Sequence, residues 1–367
     1  MLNIDLIAGA RPNFMKIGPI YKALQAYEGK IQGRIVHTGQ HYDRNMSEIF
    51  FQQLDLPEPH ISLNVGSGTH AHQTAKVMMG YEDLIAADRP DMVLVVGDVN
   101  STLACSLVAA KLHIPVGHVE AGLRSGDMRM PEEVNRIVAD RVSSVLFTTC
   151  EDGLVNLIQE GVDQDRIVEV GNTMIDSLFS LLPRADERPI LEEIGVEPRG
   201  YILTTLHRPS NVDDADQLAA LLDVLGQLSE DAPVVFPVHP RTRRKIDDLD
   251  TYDPAKYPAL HLVDPLPYLD FVKCQKEAAV VVTDSGGVQE ETSALGVQCL
   301  TARENTERPV TVTRGTNRLI GIDPLEILRA TRQVLDGDIQ EGGMIPLWDG
   351  KAGERIAAYL VGLAMKD

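Results

Sequence analysis

The stretch from Met92 to Arg136, MVLVVGDVNSTLACSLVAAKLHIPVGHVEAGLRSGDMRMPEEVNR, decides the fold. Its apolar runs Met92 to Val96 and Ile114 to Val116 read as buried strands, with the helical pattern Ser101 to Leu112 between them. Acids follow both strands: Gly97-Asp98 after the first, and Glu120 in His118-Val119-Glu120-Ala121-Gly122-Leu123-Arg124 after the second. A third acidic station, Met130-Pro131-Glu132-Glu133-Val134-Asn135-Arg136, opens a further helix. Carboxylates at the ends of parallel strands stand where open α/β sheets keep their ligands. Several gathered together suit proton transfer, so the stretch points to an enzyme.

Outward from it, strands and helices alternate along the whole chain. Runs ending near Ala8, His37, Val96, His118 and Phe147 read as five strands, and Thr69 to Ala86, Ser101 to Leu112 and Pro131 to Ser143 as helices. A looser, charged, proline-containing stretch, Leu182 to Gly200, reads as the interdomain region. Alternation then restarts with strands at Tyr201 to Thr205, Val234 to Val238, Val280 to Thr283 and Gln298 to Thr301. Helical patterns cover Asp213 to Leu228, Ser285 to Ala294, Pro324 to Leu335 and Ala352 to Met365. The expectation is two Rossmann-like α/β domains with parallel sheets, residues 1–182 and 183–350, a last helix within 351–367, and the ligand in the cleft between domains.

A chain of 367 residues accommodates two domains with sizeable cores. Its net charge of −20, from 54 acids against 34 Lys and Arg, repels a phosphate backbone and argues against nucleic-acid binding. Cys105, Cys150, Cys274 and Cys299 are far apart and show no CxxC spacing, as structural thiols in a reducing compartment would. The opening residues lack the basic and apolar regions of a signal peptide, and no apolar run reaches the ~18–20 residues of a membrane span. A cytoplasmic protein with no membrane partner is expected.

Two loops have the chemistry to hold a diphosphate. Gly9-Ala10-Arg11-Pro12-Asn13-Phe14-Met15-Lys16 follows the first strand and opens a helix, so free N–H groups lie beside two cations, Arg11 and Lys16. A plain turn with surface cations reads the same way, and the loop is neither a Walker loop nor GxGxxG. Its counterpart is Thr283-Asp284-Ser285-Gly286-Gly287-Val288-Gln289-Glu290-Glu291, where two glycines admit close backbone approach and Glu290 or Glu291 is placed to accept from ribose hydroxyls. Arg303-Glu304-Asn305-Thr306-Glu307-Arg308-Pro309 follows the next strand. Two histidines at strand ends, in His207-Arg208-Pro209 and His239-Pro240-Arg241, stand beside cations and suit a phosphate or leaving group. The HxH of His70-Ala71-His72 has no third ligand nearby, so no metal is expected. His37-Thr38-Gly39-Gln40-His41-Tyr42-Asp43, another loop at a strand end, is expected to line the same cleft.

Taken together, Gly97-Asp98, His118 to Arg124, Pro131 to Arg136, Asp284 to Glu291 and Thr306-Glu307-Arg308-Pro309 resemble the non-hydrolysing UDP-N-acetylglucosamine 2-epimerase family. The resemblance runs from Gly9-Ala10-Arg11-Pro12 to Gly350-Lys351-Ala352-Gly353-Glu354-Arg355. It implies the two-domain fold of GT-B glycosyltransferases, a UDP-sugar as ligand, no metal or other cofactor, a homodimer, and a last helix returning to the first domain. The implied reaction converts UDP-GlcNAc to UDP-ManNAc by anti elimination of UDP to a 2-acetamidoglucal and re-addition on the opposite face. Carried over by motif, Asp98, Glu120, Glu132 and His207 are the candidates for proton traffic and leaving-group assistance. Arg11, Lys16 and Arg136 would stabilise phosphate or organise the carboxylates. Ser285, Gly286, Gly287 and Glu291 would bind diphosphate and ribose, with His239, Arg241 and Arg308 as further substrate contacts.

The chain departs from many bacterial members in its short Met128-Arg129-Met130-Pro131 lead, in His207-Arg208-Pro209-Ser210, in the residues from His41 to Met46, and in Val310, where an acid is usual. The shorter lead also resembles archaeal members and relatives acting on UDP-2,3-diacetamido-2,3-dideoxyglucuronic acid. A 2-epimerase of that uronic acid is therefore an alternative. A glycosyltransferase on the same fold is another, since fold does not dictate chemistry.

Overall fold

The computed structural model describes residues 1–39, 51, 53–249 and 253–365, except the side chains of residues 11 and 254. The chain forms two compact units, Met1–Ser180 with Pro346–Asp367, and Leu181–Ile345. The first division falls inside the helix Thr173–Asp186.

Unit 1 is built on seven strands: β1 (Leu2–Ala8), β2 (Ile31–His37), β3 (Ile61–Ser62), β4 (Met92–Val96), β5 (Val116–Ala121), β6 (Val145–Thr148) and β7 (Ile167–Glu169). They lie in the order β3-β2-β1-β4-β5-β6-β7, and the paired strands are parallel throughout. All five residues of β4 are buried, as expected of a strand covered on both faces by helices. The order reverses between β1 and β4, which opens a crevice at their carboxyl ends. The helix Arg11–Gln25 follows β1, Asn100–Lys111 follows β4, and Pro131–Val142 leads into β6. The short strands β3 and β7 had no distinct apolar signal; both are sheet edges of two and three residues.

The last helix, Ala352–Ala364, belongs to unit 1. Asp176 accepts from Ala352 N (3.1 Å) and Gly353 N (2.7 Å), two of the otherwise unpaired amides of the helix N-terminus. Trp348 Nε1 donates to Thr149 O at 2.9 Å just before it.

Unit 2 repeats the plan with β8 (Ile202–Thr205), β9 (Val234–Pro237), β10 (Leu260–Val263), β11 (Val280–Thr283), β12 (Gln298–Thr301) and β13 (Asn317–Leu319). The parallel order is β10-β9-β8-β11-β12-β13, so the reversal falls between β8 and β11. Leu221, Leu225, Val234, Phe236, Val282 and Leu300 form part of its core, with the helix Ala215–Ser229 packed on the sheet. Two strand–helix units of the same topology are what the alternating pattern implied. No helix among the described residues is long and apolar enough to cross a membrane.

Candidate active site

The crevice of unit 1 lies where β1 and β4 diverge, and Asn13 ties its two lips together. Its Oδ1 accepts from Gly9 N (3.0 Å) and Ala10 N (2.8 Å), and its Nδ2 donates to Val96 O at 3.1 Å. One turn further, Lys16 reaches the carboxylate of Glu120, and both side chains are buried. Glu120 sits at φ +71°, a left-handed conformation uncommon outside glycine. The register of β5 against β6 also shifts between Val119 and Ala121. Strain of this kind collects at functional positions. Here it breaks the regular alternation of β5 at Glu120, the residue that pairs with Lys16.

Gly97 makes the meeting possible. A Cβ there would stand 2.8 Å from Lys16 Nζ, and the residue holds φ +66°. The next residue, Asp98, pairs with Arg136, whose other nitrogen Nη1 donates to Glu133 Oε2 at 2.9 Å. Asn135 Nδ2 donates to Asp98 O at 2.8 Å. Thus Lys16 and Arg136, expected on phosphate or among the carboxylates, each engage a carboxylate.

The Glu132-Glu133 pair divides its roles. Glu133 is buried and accepts from Ser125 N (3.0 Å) and Gly126 N (2.9 Å). Burial alone would raise its carboxyl, but those amides and Arg136 hold it below the usual value. Glu132, half-buried on the first turn of the helix Pro131–Val142, is not the residue that braces the loop. Sequence reading chose Glu132 for proton traffic and missed the bracing set Glu133, Asn135 and Asp140. The available signal was spacing: Glu133, Arg136 and Asp140 recur at intervals of three and four, on one helix face, and all are buried.

Unit 2 places a second constellation where β8 and β11 diverge. Asp284, wholly buried after β11, contacts the His207 ring and caps the turn that carries it. The His207 side chain itself is about half exposed. Burial works against Asp284 ionising, yet His207, Asn211 and the Arg208 amide hold it below the usual carboxylate range.

The helix Gly286–Leu295 begins immediately after Asp284-Ser285, with Ser285 at its N-cap. Arg308 packs against Gly286 so closely that a Cβ there would stand 2.6 Å from its Nη1. The guanidinium is anchored by Glu290 Oε1 at 2.9 Å. Around Gly287 there is open space within 4 Å of where a Cβ would point. A helix N-terminus, a guanidinium and an unobstructed glycine together provide for an anion.

Glu291 is buried one turn on, accepting from Tyr268 Oη at 2.7 Å, with the Gln275 amide nitrogen donating at 2.9 Å. Burial, reinforced by Glu290, pushes its carboxyl up to about 7 against the lowering effect of Tyr268. Arg303 and Arg308 flank Glu307, and although burial opposes it they hold that carboxyl down at about 2. Val310 is buried in the helix Pro309–Thr313.

Other expected residues have local partners. His239 caps the helix Pro240–Asp247, its Nδ1 accepting from Arg241 N at 3.2 Å. Arg241 pairs with Asp213 at 2.5 Å, a carboxylate shared with Lys245 at 2.7 Å. Arg11 opens the first helix, its side chain outside the described residues, as are Gln40, His41, Tyr42 and Asp43 of the loop after β2. His70 contacts Asn100, and among the described residues no cluster of three His, Cys, Asp or Glu is arranged to hold a metal. All four cysteines are buried free thiols.

Two doubly wound sheets, with acids and cations at one switch point and an anion-ready helix terminus at the other, have the make-up of an α/β enzyme that handles an anionic substrate. The chain belongs to the UDP-N-acetylglucosamine 2-epimerase family, whose model matches residues 22–361. It is thus an isomerase. It is 40% identical over 366 residues to the UDP-N-acetylglucosamine 2-epimerase of Methanocaldococcus jannaschii, covering 98% of this chain and 99% of that one. It is 42% identical over 366 residues to the UDP-2,3-diacetamido-2,3-dideoxy-D-glucuronate 2-epimerase of Pseudomonas aeruginosa, covering 99% and 100%. The crystal structure of the M. jannaschii enzyme in complex with UDP-GlcNAc and UDP matches with a TM-score of 0.88 at 40% identity, over 98% of this chain and 100% of that one.

Proposed function

We propose that this chain interconverts UDP-GlcNAc and UDP-ManNAc. The observation that carries the reading is that two strand-end carboxylates of unit 1 each face a cation, Glu120 with Lys16 and Asp98 with Arg136. A carboxylate held in place by a cation at a strand end is positioned to exchange a proton with a bound substrate.

C2 of the sugar has no adjacent carbonyl, so simple deprotonation to a carbanion is a poor route. Loss of the C2 proton instead accompanies cleavage of the C1–O bond, the electron pair of that bond leaving with UDP and a C1=C2 double bond forming. Re-addition of UDP at C1, with a proton delivered to the opposite face of C2, gives the epimer. Asp98, Glu120 and Glu132 serve as the groups that take and return the proton. His207 assists the departing diphosphate. Ser285, Gly286, Gly287 and Arg308 hold the diphosphate, and Glu291 the ribose. The reaction as written balances without a metal or cofactor. The working enzyme is read as a cytoplasmic homodimer with no nucleic-acid or membrane partner.

The test is incubation with UDP-GlcNAc in deuterated buffer with a chelator, following the C2 and anomeric protons by NMR. Appearance of UDP-ManNAc with deuterium at C2 supports the reading; no exchange at C2 sinks it for this substrate. The 42% identity to a diacetamido uronate epimerase favours one second reading, the same chemistry on that sugar. Side-by-side turnover of the two nucleotide sugars decides between them.

A further inference from the structure

His118 lies wholly buried on β5, and both its ring nitrogens meet acceptors. Nδ1 is 2.6 Å from Asp140 Oδ1, and Nε2 is 2.8 Å from the carbonyl oxygen of Gly97. A carbonyl accepts and never donates, so Nε2 carries a hydrogen. Through its other oxygen Asp140 pairs with the Arg124 guanidinium and accepts from Gly122 N, so it stands as an acceptor toward Nδ1 as well. With an acceptor at each nitrogen the ring donates from both, as an imidazolium does.

The surrounding charges balance. Asp140 Oδ2 takes Arg124 Nη2 at 2.7 Å and Gly122 N at 3.1 Å, and Arg124 reaches Glu160 at 2.7 Å. Two cations and two anions form one connected group, which makes burial of the imidazolium tolerable.

The consequence lies at Gly97-Asp98. Gly97 N donates to Val119 O at 3.0 Å while its carbonyl takes His118, so this peptide is fastened on both sides to β5. Asp98 is fastened in turn by Asn135 and Arg136. Asn135, Arg136 and Asp140 all belong to the helix Pro131–Val142. One helix therefore holds Asp98 directly, and through Asp140 and His118 holds the residue before it.

We propose that His118 is a positioning residue for the epimerase reaction: as a buried imidazolium clamped between Asp140 and the Gly97 carbonyl, it fixes the turn that presents Asp98. This rests on the function proposed above. A small misplacement of a reacting group costs on the order of 10²-fold in rate, so the clamp is expected to matter to turnover more than to binding.

The experiment uses the full-length enzyme and its His118→Asn and Asp140→Asn variants. Heteronuclear NMR of the histidine side chains reads ring protonation, and steady-state kinetics with C2 deuterium exchange reads the turn. Expected is a wild-type His118 with both nitrogens protonated at neutral pH, a signature lost in Asp140→Asn. Both variants should lose roughly 10²-fold in kcat, with KM and UDP affinity changed less than about threefold. Asp140→Asn retains an oxygen for Gly122 N, so it keeps the test open should His118→Asn fail to fold. A His118 singly protonated in the wild type, or full kcat in a folded variant, would overturn the inference while leaving the proposed function intact. A wild type that exchanges no C2 proton on either nucleotide sugar would instead remove the function reading, and the inference with it.

Discussion

Asp284 Oδ1 stands 2.9 Å from His207 Nδ1, while Oδ2 accepts from His207 N (2.9 Å), Arg208 N (2.8 Å) and Asn211 Nδ2 (2.9 Å). One buried carboxylate thus orients the ring and caps the turn beneath it. The two tasks separate by mutation. Asp284→Asn keeps an oxygen for the capping donors but removes the carboxylate charge that faces the His207 ring. It is expected to fold, with kcat lowered by roughly 10²–10⁴-fold, the range of a lost acid–base contribution. Asp284→Ala orphans the capping donors at about 1–3 kcal/mol for each buried one, and should be markedly less stable in urea. Equal stability of the two variants would contradict the capping role; wild-type kcat in Asp284→Asn would contradict the orienting role.

The Lys16–Glu120 pair sets the second prediction. Both groups are buried, so removing the cation upsets the charge balance around Glu120: Lys16→Met should destabilise by up to about 3–5 kcal/mol, and the double variant Lys16→Met/Glu120→Gln should recover part of it. Glu120→Gln and Asp98→Asn are expected to depress epimerisation by roughly 10²–10⁴-fold. UDP affinity, assigned to groups in unit 2, should stay within about threefold by calorimetry. Additive stability losses in the cycle, or two active carboxamide variants, would count against the assignment.

The frame of both sheets was readable because their central strands are apolar runs bounded by turn residues. The runs at Met92–Val96 and Val280–Thr283 match strands residue for residue. Edge strands such as β3 and β13 escaped because a two- or three-residue strand leaves no periodicity to count. The resemblance of the motifs named Asp98, Glu120 and Arg136 as candidates. It did not say which acid meets which cation, since that depends on a positive φ at Glu120 and a register shift in β5. Arg241 shows the opposite limit. A cation after a strand suits a phosphate on paper, but Asp213, distant in sequence, takes it in the fold. Glu132 and Glu133 differ by one position on a helix, and that rotation sends Glu133 to the Ser125-Gly126 amides.

Gly286 and Gly287 give a third prediction, because the protein crowds one and leaves the other open. A methyl at Gly286 meets the anchored guanidinium of Arg308 and must displace it. At Gly287 a methyl meets nothing within 4 Å, so Gly287→Ala should keep or raise stability by up to about 1 kcal/mol, as alanine does in helices. If a diphosphate approaches this backbone, Gly287→Ala nevertheless loses roughly tenfold in UDP affinity, about 1.4 kcal/mol. Titration calorimetry beside thermal unfolding distinguishes the cases, and unchanged UDP affinity in Gly287→Ala would place the phosphate elsewhere.

Glu291 makes stability pH-dependent in a direction that can be worked out. Its carboxyl stands near 7 in the folded protein against an ordinary 4.5, because burial penalises the charged form. Between those values the native state binds a proton that the unfolded chain has released. The stabilising contribution is therefore complete below about 4.5 and is lost as pH rises through about 7. The loss is on the order of 3 kcal/mol, the free energy of a shift from 4.5 to about 7. Glu291→Gln carries no ionisable group there, so its urea midpoint should vary less than the wild type's across that window. At pH 8 the variant should match or exceed the wild type in stability, while ribose recognition by a carboxylate would make it the weaker UDP binder. Parallel pH dependences in the two proteins would show that Glu291 does not titrate in this range.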